Sequence, residues 1–88
     1  MKLIIAIIKD EDNEAVSRAL TKQDFRVTLI ASTGGFLRSG RSTLLIGLED
    51  DQVEQALEII RQNCKMDPQS KEKRATIFVL KVDHFTQL

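Results

Sequence analysis

Phe25-Arg26-Val27-Thr28-Leu29-Ile30-Ala31-Ser32-Thr33-Gly34-Gly35-Phe36-Leu37-Arg38-Ser39-Gly40-Arg41-Ser42-Thr43-Leu44-Leu45-Ile46-Gly47-Leu48 is the stretch on which the fold turns. From Phe25 to Ala31 the pattern has period two, so Phe25, Val27, Leu29 and Ala31 are expected on one side of a strand. Arg26, Thr28 and Ile30 then fall on the other. Thr33 to Gly40 interrupts that alternation with glycines at 34, 35 and 40 and reads as a loop. Arg41 to Leu48 resumes as another strand, rich in apolar residues.

Upstream, Leu3-Ile4-Ile5-Ala6-Ile7-Ile8 is a continuous apolar run bounded by charges, the mark of a central strand covered on both faces. Asp10 to Asn13 supplies helix N-cap candidates. Ala15, Val16, Ala19 and Leu20 then lay a narrow apolar stripe along a first helix that ends near Asp24. Downstream, Glu49-Asp50-Asp51 places negative charge at the start of a second helix. Val53, Ala56, Leu57, Ile60 and Cys64 form its apolar face. Lys65 to Arg74 is polar, contains Pro68, and reads as a loop. Ala75 to Val82 is a fourth strand, and Asp83 to Leu88 a short tail.

The order strand–helix–strand–strand–helix–strand is the ferredoxin-like βαββαβ arrangement of the α+β class. Right-handed crossovers put both helices on one face of an antiparallel sheet. Helices on one side cannot cover both alternating apolar sets. Ile30, Leu44, Ile46, Phe78 and Leu80 are therefore assigned to an uncovered face, and burial of that face by self-association is expected.

Composition narrows the function. Eighty-eight residues make one domain, here residues 1–88, and a domain so small gains from subunit association. Thirteen Lys plus Arg balance thirteen Asp plus Glu, which argues against a surface for a nucleic-acid polymer. No apolar run reaches the roughly 20 residues that span a membrane. Met1 to Ile8 lacks a basic leader and a cleavage site, and the single Cys64 has no disulfide partner. These features point to a reducing cytoplasm. His84 has no second histidine, so no metal site is expected, and Cys64 on its apolar stripe is expected to be a small core residue. No base–nucleophile pair or carboxylate motif suggests an enzyme.

Gly35-Phe36-Leu37-Arg38-Ser39-Gly40-Arg41-Ser42 nearly matches the phosphate-loop pattern, but it opens a strand where that motif requires a helix N-terminus. A hairpin whose glycines permit positive φ is the plainer reading. Phe36 and Leu37 at the loop tip exceed what a hairpin needs. They suit either the enclosure of a purine or packing against a neighbouring subunit. Arg26, beside Thr28 on its strand face, is either an edge charge or a phosphate contact.

Several of these segments together resemble the PII-like cyclic di-AMP receptor family. They are Met1-Lys2-Leu3-Ile4-Ile5-Ala6-Ile7, Asp24-Phe25-Arg26-Val27-Thr28, Ser32 to Gly40, Ile46-Gly47-Leu48-Glu49-Asp50-Asp51-Gln52-Val53, Ala75-Thr76-Ile77-Phe78-Val79-Leu80 and Phe85-Thr86-Gln87. The resemblance implies a PII-like homotrimer that senses cyclic di-AMP at clefts between subunits, signals to a downstream protein effector, and performs no catalysis. ATP or another small nucleotide or anion is the alternative ligand, and a ligand-independent interaction module the alternative function. By resemblance the ligand contacts are Arg26, Thr28, Phe36, Leu37, Arg41, Gly47, Phe78 and Gln87, and Gly35 of the glycine loop joins them as a candidate. Two departures stand out. The family usually has asparagine where this chain has Arg41, and it carries a much longer loop between the second helix and the last strand.

Overall fold

The structure, a computed structural model, describes residues 1–31, 40–65 and 73–88. The elements follow in the expected order: β1 (Lys2–Lys9), α1 (Asp10–Lys22), β2 (Arg26–Ala31), β3 (Arg41–Leu48), α2 (Val53–Asn63) and β4 (Ala75–Lys81). The strands form an antiparallel sheet in the order β2-β3-β1-β4, so β1 and β3 are central and β2 and β4 are the edges. This is the ferredoxin-like α+β architecture.

Cross-strand register decides which side chains lie under the helices. Val27, Ile46, Ile4 and Val79 occupy one row across the sheet, and Leu29, Leu44, Ala6 and Ile77 the next. The central members of these rows are fully buried, packed with Val16 and Leu20 of α1 and with Ala56 and Ile60 of α2. Leu44 and Ile46 therefore belong to the core, not to the uncovered face where alternation alone had assigned them. Their neighbour Leu45 takes that place, together with Leu3, Ile5 and Ile7 of β1. Ile30, Phe78 and Leu80 are exposed as expected, at 52%, 50% and 46%. The period-two pattern of β2 runs only to Leu29, because the pairing with β3 shifts register between Leu29 and Ala31.

The helix ends are built differently from expectation at one site and more tightly at another. α1 starts directly after β1, with Lys9 as the extended residue before it and no side-chain cap. Asp10, Glu11 and Asp12 lie in the first turn, where they complement the helix dipole instead of capping it. At the other end, Asp24 N–H bonds the Thr21 carbonyl and Phe25 N–H the Leu20 carbonyl, while Asp24 adopts φ 67°. That is a Schellman stop, with aspartate in the left-handed position glycine usually takes. Before α2, Glu49 and Gln52 form a reciprocal capping box across a 3₁₀ turn.

Two polar groups sit inside this framework. Asp12 is buried; its Oδ1 accepts the Lys65 N–H at 3.3 Å, tying the start of α1 to the end of α2, and its Oδ2 has no partner among the described residues. Cys64 is buried beside it, and desolvation, with a smaller push from the Asp12 carboxylate, raises its thiol from 9.0 to about 11. Arg74 pulls the other way. Because the folded state holds this proton more tightly, the associated stability is present below pH 9 and is lost as pH rises towards 11. Cys64 is expected to resist a thiol-specific disulfide reagent at pH 8 and to react at once in denaturant. Equal rates in both conditions would place the thiol outside the core.

Candidate functional site

The sheet face away from the helices has a definite residue map. Across it, Arg26, Gly47, Leu3 and Leu80 form one row, and Thr28, Leu45, Ile5 and Phe78 the next. Thr43, Ile7 and Thr76 follow, and the β1–β3 ladder ends at Lys9 opposite Arg41. The face is thus apolar in the middle, with Arg26 and Thr28 at the β2 edge and Phe78 at the β4 edge.

These positions group the expected ligand residues unequally. Arg26, Thr28 and Gly47 come together, since Arg26 lies directly opposite Gly47 and Thr28 is two residues further along. Arg26 and Thr28 are exposed. The tip of the Met1 side chain packs over Gly47, 3.3 Å from where a Cβ would stand. Phe78 is three strand spacings away at the other edge, about 14 Å. Arg41 is six residues along β3 from Gly47, about 20 Å. Gln87 is exposed in the tail, whose start is anchored by the Val82 N–H to the Met1 carbonyl at 3.1 Å. Gly35, Phe36 and Leu37 lie outside the described residues.

The described members of the set are therefore not gathered into one cleft of a single chain. Two surface depressions lie elsewhere, on the helix side. One runs along α1 beside Leu29, and the other lies between α2 and β4 over Leu57, Ile60, Ile77 and Val79. Neither is lined by any of the expected ligand residues that the structure describes. Among the described residues no cluster of His, Cys, Asp or Glu is placed to hold a metal, and no helix is long and apolar enough to cross a membrane.

Sequence reading passed over Lys9, which the register puts on the same face as Arg41 and directly across from it. The signal was present, because the alternation of β1 continues from Leu3, Ile5 and Ile7 to Lys9. The continuous apolar run hid it by ending at Ile8.

Comparison with known proteins agrees with this architecture. A solved structure described as a functionally unknown protein from Pediococcus pentosaceus ATCC 25745 superposes with a TM-score of 0.77 at 38% identity. The match covers 99% of this chain and 96% of that one. The family model described as cyclic-di-AMP receptor matches residues 1–74, which include Arg26, Thr28, Arg41, Gly47 and the whole glycine-bearing hairpin. The chain belongs to the cyclic-di-AMP receptor family.

Proposed function

We propose that this chain is a non-enzymatic signalling protein, a single PII-like unit over residues 1–88, that binds cyclic di-AMP in clefts between the subunits of a cytoplasmic homotrimer. Besides family membership, one observation carries the reading. Among the described candidate ligand residues, Arg26, Thr28, Gly47, Arg41 and Phe78 are spread over opposite edges and opposite ends of the sheet face away from the helices. Residues so far apart can meet over one small ligand only where two copies abut.

The chemistry of each group suits the dinucleotide. Arg26 can offer two parallel N–H donors to a phosphodiester, and Thr28 a hydroxyl. Gly47, lacking a Cβ, would let the ligand reach the β3 backbone beside them once the flexible Met1 side chain swings aside. Phe78, with half its surface exposed, offers an aromatic face to an adenine. From a neighbouring copy the glycine loop would bring Gly35, Phe36, Leu37 and Arg41, and the tail the Gln87 amide. The bound nucleotide would then report to a protein effector.

Isothermal titration and light scattering test this directly. The expected result is a mass of three chains, with heat from cyclic di-AMP at micromolar concentration and one ligand per chain. A thermal-shift panel containing ATP and cyclic di-GMP identifies the ligand. Stabilisation by ATP alone would replace the ligand, and neither heat nor thermal shift would leave a ligand-independent module. A stable monomer at micromolar concentration would remove the cleft.

A further inference from the structure

The helix layer is incomplete over one edge of the sheet. Val79 shares a row with Ile4 and Ile46, which are fully buried beneath the helices, yet it is itself 42% exposed. Ile77, two residues back on the same side of β4, and Leu57 of α2 are only half-buried. The cause is position, since β4 is an edge strand with a sheet neighbour on one side only. The depression between α2 and β4 is the result, an apolar trough whose floor is made of core-facing side chains.

The rim of this trough carries charge of one sign. Arg61 of α2 and Lys73 and Arg74 at the entry to β4 line it, and no carboxylate does so among the described residues. Arg61 is paired with Glu58 at 2.6 Å, but both side chains are at least half exposed. Exposed pairs of that kind are weak, so the guanidinium can exchange Glu58 for another carboxylate. Arg74 acts electrostatically on Cys64 in the floor. The chain as a whole has no net charge, so the three cations are a local concentration.

An apolar floor under a cationic rim complements an apolar side chain flanked by carboxylates. An anionic membrane is a poorer match, because Glu58 and, one turn away, Glu54 are exposed on the same helix and would meet the headgroups. The open face assigned to self-association is on the other side of the sheet. An assembly that covers it leaves the trough outward.

We propose that the trough between α2 and β4 docks an acidic segment of a partner protein, with an apolar side chain over Leu57, Ile77 and Val79 and carboxylates on Arg61, Lys73 and Arg74. The inference goes beyond the signalling reading by giving the effector a place to bind, and it does not require that the ligand be cyclic di-AMP.

The test is selection of a random peptide library, displayed on phage, against the whole chain without nucleotide. The enriched peptides are then synthesised and titrated by fluorescence anisotropy. They are expected to combine Asp or Glu with Leu, Ile or Phe, and to bind more weakly as salt is raised. Lys73→Glu and Val79→Asp each weaken that binding about tenfold or more, because each sets a carboxylate against the incoming ones. Lys22→Glu, which changes an exposed lysine at the end of α1, leaves it unaltered. Lys73 is exposed, so Lys73→Glu stands as the test even if Val79→Asp fails to fold. Enriched peptides without acidic residues would overturn the proposal, as would equal affinity for Lys73→Glu and wild type. So would a selection that enriches nothing over blank beads.

Discussion

Leu80→Asp is expected to convert the assembled protein to monomers and to abolish cyclic di-AMP binding while leaving each chain folded. Leu80 is 46% exposed in the single chain and sits on the open face, in the row of Leu3, Gly47 and Arg26. A carboxylate there is tolerated in an isolated subunit, because it can face water. In an assembly that covers this face it becomes an unpaired buried charge, at a cost of about 3–5 kcal/mol per copy. Leu80 is not among the proposed ligand contacts, so loss of binding in this variant would report on assembly and not on a lost contact. Light scattering, far-UV circular dichroism and titration calorimetry on one sample would read all three properties. A variant that stayed assembled and bound ligand with wild-type affinity would show that the open face is not where copies meet.

The second large effect concerns the other face. Ile46→Ala, at a fully buried position in the row of Val27, Ile4 and Val79, is expected to destabilise the fold by about 2–5 kcal/mol through lost transfer energy and the cavity left behind. In a domain of this size that lowers the melting temperature by roughly 10 °C or more. The comparison must hold protein concentration fixed, since assembly contributes to apparent stability. A shift of only a degree or two would mean that Ile46 is not packed under the helices. The two substitutions oppose each other by design: one spares the chain and breaks the assembly, and the other strikes the chain itself.

Much of the fold was legible because its signals are local. The apolar run from Leu3 to Ile8, the helical spacing from Val53 to Cys64 and the glycines between two strand patterns each act within one element. Their order leaves few topologies once right-handed crossovers are imposed. The binding set was legible only through resemblance. Nothing in the spacing of Arg26, Gly47 and Phe78 states that the first two are directly paired across strands while the third lies at the far edge.

The residues themselves decided the order of elements, the lack of enough helix to cover both sides of the sheet, and the candidate side chains. Register decided the rest. A strand alternates identically whichever of its two sets is buried, so the local pattern in Leu44-Leu45-Ile46 is silent on which members meet the helices. Only the long-range pairing with β1 put Leu44 and Ile46 inside and Leu45 outside. The same pairing brought Lys9 against Arg41, a meeting of like charges that no window along the chain contains, because the contact is made by strand alignment and held by a hydrogen bond between residues 10 and 42.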